Sequence, residues 1–481
     1  MMEYIIGRKE EINEINELYD SGRAEFLAIY GRRRVGKTFL VKEVLDSRMT
    51  FYHTGLSPVD DEANKTSLKD QLLSFYFSLV RAGMNERKRP KSWLEAFFML
   101  ETFLEEIDDG SRQVVFIDEL PWMDTPKSGF VKAFEAFWNG WGSGRHNLML
   151  VVCGSATTWM LNNIVNNHGG LYDRLTREIH LRPFTLAETS EFLSSKGIML
   201  SKMDIAEAYM ILGGIPYYLN YFKKGMSIGQ NIDMLLFDRK ARLVNEFNRL
   251  FRSLFYNSEE YKSVVRLLAK RRIGYSRQEI AQALGRKSGG ALTEMLSILE
   301  NCEFIHHYCP LGNRKDDFRY KLSDSFCRFY ITFVENNTDA HFWQNSRNEG
   351  KVAAWRGLAF EDLCANHVDK IKDALKVGGV LSQETSLTVR GDEEDRGTQI
   401  DLIIIRNDNI VNLCEMKFTA QPFVIDKEYH DLLLHRIDKL RESLKDDNKS
   451  IHLTFVTSRG VKQNMYTLIP QHYYKYNFLS T

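Results

Sequence analysis

The chain has 481 residues, 43% hydrophobic and 27% charged, with Lys+Arg and Asp+Glu both numbering 64. That length exceeds one hydrophobic core and predicts two to four domains, while the balanced charge points to no partner except through local patches. The six cysteines, at 153, 302, 309, 327, 364 and 414, form no C-x-x-C pair, which argues against a disulfide framework or zinc site and for a reducing cytosol.

No apolar run approaches the ~20 residues that a membrane helix needs, and the opening residues Met1 to Glu10 lack a secretory apolar core. A cytoplasmic protein with no membrane partner is expected. In chain order, Ile5-Ile6-Gly7-Arg8-Lys9-Glu10 leads into a helix with apolar Ile12, Ile15 and Leu18. A strand, Phe26 to Tyr30, then runs into Gly31-Arg32-Arg33-Arg34-Val35-Gly36-Lys37-Thr38, and a helical pattern follows from Phe39 to Leu45. The octet matches the phosphate-binding pattern G-x-x-x-x-G-K-[ST] in full, in the strand–loop–helix setting that the chemistry requires. Gly31 and Gly36 let backbone amides turn toward phosphates, and the helix N-terminus adds partial positive charge. Lys37 would reach the β- and γ-phosphates of ATP, and the Thr38 hydroxyl would sit on Mg²⁺.

Residues 51–112 read as mostly helical, with aromatics such as Phe75, Tyr76 and Phe77 assigned to a core. Val114 to Ile117 then form a short apolar run followed by Asp118 and Glu119. This is how a buried parallel strand delivers carboxylates to its C-terminal edge. Asp118 is expected to hold Mg²⁺ through its water shell, and Glu119 to orient and deprotonate the attacking water. A further apolar strand, Leu148 to Cys153, ends in Gly154-Ser155-Ala156, where Ser155 is the candidate polar sensor of the γ-phosphate or, equally, a helix cap. Arg174 and Arg177 are candidate arginine fingers, acting in cis or across a subunit contact in a homo-oligomer. From Thr185 to Lys224 the pattern is helical, interrupted by the tight turn Gly213-Gly214-Ile215-Pro216.

Residues 256–334 predict three helices and a hairpin, the arrangement of a winged helix-turn-helix, with Ser276 and Glu279 forming a capping box at the second helix. The segment carries 13 Lys+Arg against 9 Asp+Glu. That excess suits phosphate contacts from Arg271, Arg272, Arg286, Lys287 and Arg314, although winged helices also serve as protein–protein modules.

The remaining ~140 residues are again α/β in pattern. Glu361 lies on a predicted helix, Asp401 on a strand from Gln399 to Ile405, and Glu415 and Lys417 on the strand that follows a turn at Asn407-Asp408-Asn409. Side chains alternate along a strand, so Glu415 and Lys417 share a face that Asp401 can reach. Two carboxylates converging on a divalent cation, with a lysine beside them, suit phosphodiester hydrolysis.

These motifs resemble known families. Gly7-Arg8-Lys9-Glu10 is similar to the lead-in of AAA-type ATPases, which implies that Gly7 and Arg8 flank an adenine. Gly213 to Pro216 resembles the G-x-P turn that presses a helical lid, here through Pro216, onto nucleotide in signal-transducing ATPases with numerous domains. The order Glu361, Asp401, Glu415-Met416-Lys417 resembles the PD-(D/E)xK nuclease fold. As a whole the chain resembles archaeal-type ATPases that join a P-loop core to a winged helix and a DEXX-box ATPase C-terminal domain. The resemblance implies an α/β P-loop NTPase core at 1–184, a helical lid and linker at 185–255, a winged helix at 256–340 and a restriction-endonuclease-like domain at 341–481. It implies ATP and Mg²⁺ as cofactors, with Asp401 and Glu415 as further metal ligands, and DNA as partner of 256–334 and 341–481. The rival expectation is a signalling switch whose winged helix and catalytically silent C-terminal domain bind protein.

Overall fold

A computed structural model describes residues 5–57, 59–61, 64–155, 157–167, 169–255, 257–313, 317–347, 349–391, 396–444, 448–468 and 472–475. The chain forms two compact units. One comprises residues 1–184 with 215–220 and 248–258. The other comprises 185–214, 221–247 and 259–481.

The first unit is built on five parallel strands: β1 (Glu25–Tyr30), β2 (Met49–Thr54), β5 (Gln113–Asp118), β6 (Leu148–Gly154) and β7 (Arg177–His180), in the order β2-β5-β6-β1-β7. A small hairpin, β3 (Val59–Asp61) with β4 (Asn64–Lys65), stands outside that sheet. Every residue of β1, β5 and β6 is buried, which explains their continuous apolar runs: a parallel sheet covered on both faces has no polar side to alternate with. This mixed α/β architecture is that of a P-loop NTPase core.

Helices Leu68–Ala82, Trp93–Glu106 and Phe130–Gly140 contribute an aromatic cluster to the core around β1 and β5. Ser67 and Asp70 cap the first of these reciprocally, and the Ser92 hydroxyl caps the second. Phe75 and Tyr76 are buried as expected, and Phe75 packs edge-on to Trp93 and Phe97. Phe77, read from sequence as core, is instead 47% exposed, because it points off the buried stripe that Leu72, Phe75, Tyr76 and Leu79 occupy.

In the second unit, helices Ser258–Ala269, Arg277–Ala283 and Gly290–Asn301 accompany a three-stranded antiparallel sheet of order β8-β10-β9, with β8 Tyr275–Ser276, β9 Ile305–Tyr308 and β10 Arg319–Leu322. The Ser276–Glu279 capping box opens the second helix. Further along stand β11 (Ser382–Val389), β12 (Thr398–Arg406), β13 (Ile410–Lys417), β14 (Ser450–Thr457) and β15 (His472–Lys475), paired in that order. The first three are antiparallel, and β13, β14 and β15 run parallel. Asn409 takes the left-handed conformation (φ 63) that the β12–β13 turn requires. Leu433 and Leu440 of helix Lys427–Leu444 pack into the core formed by Ile400, Ile403, Val411, Leu413 and Phe455. Among the described residues no helix is long and apolar enough to cross a membrane.

Candidate functional site

β1 delivers the phosphate loop at its C-terminal edge. Gly31 adopts φ 134, and a Cβ there would collide with the carbonyl oxygen of Leu181, so no other residue fits. Gly36 (φ 95) caps helix Lys37–Leu45, whose first-turn amides lack intrahelical acceptors and therefore suit an anion. Lys37 is buried, and its Nζ donates to the carbonyl oxygens of Gly31 and Arg32, each at 2.9 Å. The Thr38 hydroxyl donates to Asp118 Oδ2 at 2.8 Å, and Asp118 Oδ1 accepts the Glu119 amide at 3.0 Å. Burial, and then the charge of Glu119, push the Asp118 carboxyl above its ordinary range, with the Thr38 bond opposing them. A hard oxygen pair of hydroxyl and carboxylate, poised beside a cationic loop, is a donor set that fits Mg²⁺.

Glu119 follows β5 in a left-handed turn (φ 47, ψ 45). Its carboxylate accepts the Ser155 hydroxyl at 2.9 Å and the Ser155 amide at 3.2 Å. Neighbouring β5 and β6 thus place the candidate base and the candidate sensor in contact. Gly55 makes room behind them, since a Cβ on it would lie 2.7 Å from the Glu119 carbonyl oxygen.

Other candidates are placed differently. Gly7 and Arg8 form a left-handed turn (φ 64 and 59), but Arg8 is buried, donates to the Arg182 carbonyl oxygen at 2.6 Å, pairs with Glu11 at 3.6 Å and covers the Phe184 ring. Arg174 is exposed, and Arg177, on β7, lies 3.8 Å from Glu14. Pro216 begins the short helix Pro216–Leu219, and the next residue, Tyr217, places its ring under the Arg34 guanidinium at 4.0 Å. Arg33 likewise lies over the Trp122 ring, 5.5 Å away. These two aromatic partners of the loop arginines had no signature in the sequence.

The second unit holds the acidic group. The β12–β13 register pairs Leu402 with Cys414 and Ile403 with Leu413, and Asp401 and Glu415 are the residues next to the Leu402–Cys414 pair. Glu415 is buried and accepts hydrogen bonds from the Tyr429 hydroxyl (2.6 Å) and from Arg436, with Lys417 Nζ at 3.7 Å. Glu361, on helix Gly350–Ala365, forms an ion pair with Arg272, and the charges of Asp401 and Lys417 reach it. Burial pushes the Glu361 carboxyl up to about 7, with Arg272 opposing. Next to it, Arg328, Arg272 and Lys321 hold Asp362 below the usual carboxylate range although burial opposes ionisation. Arginine contacts therefore meet Glu361 and Glu415 where the sequence suggested carboxylates open to a cation. Tyr429 and Arg436, seven residues apart, share one helix face, but nothing in the sequence directs that face to Glu415.

The cations assigned to phosphate contact are largely committed elsewhere. Arg271 pairs with Glu279 at 2.9 Å, Arg286 with Glu260 at 3.0 Å, and Arg272 with Glu361. Lys287 is exposed, and Arg314 lies outside the described residues.

A family model described as an ATPase domain predominantly from Archaea matches residues 5–222. Residues 5–222 are thus similar to an archaeal-type ATPase domain. The chain is also similar to an uncharacterised protein of Methanocaldococcus jannaschii, 26% identical over 436 residues that cover 89% of this chain and 90% of the relative. A 43-residue stretch is 40% identical to an uncharacterised ATP-binding protein of the same organism, covering 9% of this chain and 73% of that one. Among solved structures, a Walker-type ATPase of Pyrococcus abyssi aligns with a TM-score of 0.51 at 19% identity, over 68% of this chain and 96% of its own. That likeness concerns the fold, and it agrees with the P-loop core on which the ATPase domain is built.

Proposed function

We propose that the ATPase domain hydrolyses Mg-ATP at the edge of β1, β5 and β6, and that nucleotide state controls a DNA-directed winged helix and a nuclease-like domain. The observation that carries the reading is the joint placement of Lys37, the Thr38–Asp118 pair and the Glu119–Ser155 pair at one sheet edge. Loop amides and Lys37 bind the phosphates, Lys37 exchanging its two carbonyl acceptors for phosphate oxygens. Thr38 and Asp118 would hold Mg²⁺, which neutralises phosphate charge when bound. Glu119, steadied by Ser155, accepts a proton from the attacking water. Gly7 and Pro216 border the nucleotide, the left-handed turn and the Tyr217–Arg34 contact supporting that placement, whereas the Arg8 side chain turns to the Arg182 carbonyl oxygen and contributes only its backbone there. Exposed Arg174 is assigned as the finger that completes the site of a neighbouring copy.

In the second unit, three helices with β8 between the first and second, and β9 and β10 after the third, joined as a sheet of order β8-β10-β9, support a winged helix. DNA contact is assigned to Lys287 and the exposed N-terminal turn of Gly290–Asn301. Glu361, Asp401, Glu415 and Lys417 are assigned as the nuclease-like constellation, with Asp401 and Glu415 as metal ligands. The signalling alternative, in which the winged helix packs internally, is favoured by the Arg272–Glu361 contact.

ATP turnover measured with and without duplex DNA, in wild type and in Lys287→Glu, separates these readings. Stimulation that the substitution weakens supports the DNA reading, whereas turnover indifferent to DNA removes it. Lys37→Ala abolishes nucleotide binding or hydrolysis, and an unaffected rate would overturn the ATPase assignment.

A further inference from the structure

The segment carrying the three-stranded sheet β8-β10-β9 docks onto the C-terminal strands through backbone and side-chain contacts. The Leu311 amide donates to the Ser386 carbonyl oxygen at 2.8 Å, and the Thr385 hydroxyl to the Cys309 carbonyl oxygen at 3.3 Å. The same segment and strands line a small, partly open cavity of about 20 Å³, space for one water, where Arg272, Lys321 and Tyr308 meet Asp401, Gln399 and Thr388. Around it stand three cations, Arg272, Lys321 and Arg328, and three carboxylates, Glu361, Asp362 and Asp401. Arg272 pairs with Glu361 and lies 3.9 Å from Asp362, while Arg328 lies 3.5 Å from Asp362 on the other side. Gln399 donates to Asp401 at 2.8 Å.

We propose that Arg272 is an autoinhibitory plug: its guanidinium, paired with Glu361, supplies beside Asp401 the positive charge that a divalent cation held by Asp401 and Glu415 would supply, so the cation enters only when the docked segment lifts. The proposal rests on reading those carboxylates as a cation site. The charge balance supports it. Three half-buried cations already offset three carboxylates, and two further positive charges would face Arg272 and Lys321 at close range, where the surrounding protein screens less than bulk water. Arg272 is four residues before the capping-box serine Ser276, on the linker into β8, so movement of the docked segment would carry its guanidinium away from Glu361. Arg436 performs a different task. It belongs to the same helix as Tyr429 and holds Glu415 from within the C-terminal strands, and would stay when the segment lifts.

The test measures Mn²⁺ binding to the nucleotide-free full chain by electron paramagnetic resonance, with plasmid nicking as a second readout. Arg272→Gln removes the charge and keeps a hydrogen-bond donor, which protects folding if Arg272→Ala fails to fold. Expected is a Mn²⁺ affinity at least 10-fold tighter in Arg272→Gln than in wild type, lost again in Arg272→Gln/Asp401→Ala. If wild type and Arg272→Gln bind Mn²⁺ equally well through Asp401, the plug is refuted and the cation site stands. If folded Arg272→Gln and wild type both show no Asp401-dependent Mn²⁺ binding and no nicking, the cation-site reading fails and the plug with it.

Discussion

Ser155→Ala isolates what the Glu119–Ser155 contact does. The substitution deletes one hydroxyl donor, 2.9 Å from a carboxylate oxygen, and leaves the 3.2 Å bond from the Ser155 amide in place. Ser155 is buried, so water cannot readily replace the lost donor. A hydrogen bond to a charged group contributes about 1.5–3 kcal/mol, and ~1.4 kcal/mol is a factor of ten in rate. If that bond orients Glu119 for proton transfer, single-turnover ATP hydrolysis falls by roughly 10- to 100-fold. ATP affinity stays unchanged, because Ser155 makes no contact with the phosphate loop's own anchors, Lys37 and Thr38. Ser155→Thr keeps the hydroxyl and restores most of the rate. The assay is single-turnover hydrolysis under excess enzyme, with a fluorescent ATP analogue reporting binding. An unchanged single-turnover rate, or a loss confined to ATP affinity, would refute the orienting role.

Further outcomes follow from burial and backbone geometry. Gly31→Ala adds a Cβ against the Leu181 backbone at a φ that suits only glycine, so it destabilises by roughly 2–5 kcal/mol; a thermal midpoint equal to wild type would contradict the loop geometry. His53 is buried with Nδ1 2.9 Å from the Ser78 hydroxyl, and burial pushes its pKa down to about 3. The unfolded chain binds a proton there below its ordinary ~6.5 while the folded chain does not, so stability is present above that pH and is lost as pH falls, by about 2 kcal/mol between pH 7 and 5. His53→Gln removes that component, read as a flatter pH dependence of the urea midpoint, and an unaltered dependence would show that His53 protonates in the folded state.

Local signals made much of the ATPase domain legible. The phosphate loop, the strand ending in Asp118-Glu119 and the Ser276–Glu279 capping box each depend on residues within a few positions of one another, or on a strand's continuous apolar run. Even the 80-residue pairing of Thr38 with Asp118 could be anticipated, because parallel strands bring their C-terminal ends to one edge. Long-range partners of arginines were not legible. Arg272 and Arg271 are adjacent and chemically alike, yet one pairs with its near neighbour Glu279 and the other with Glu361, 89 residues later. Nothing in spacing distinguishes them, because tertiary packing decides which guanidinium is enclosed. Arg8 was read toward an adenine, and its side chain is drawn to the carbonyl of Arg182, a partner no periodicity reveals. In the acidic group, strand alternation correctly put Glu415 beside Lys417, whereas Arg436 on Glu415 came from a helix whose docking face could be read only after the strand order was known.

The proposed role of Glu119 is to activate water at an Mg-ATP site formed by Lys37, Thr38 and Asp118. Glu119→Gln keeps the side chain's volume and a carbonyl oxygen to accept the Ser155 hydroxyl, but removes the base. The decisive measurement is its single-turnover ATP hydrolysis beside its ATP affinity. A rate at least about 100-fold below wild type is expected, with affinity within about threefold (under ~0.7 kcal/mol). Hydrolysis within tenfold of wild type, or a rate loss explained by lost ATP binding, would contradict that role.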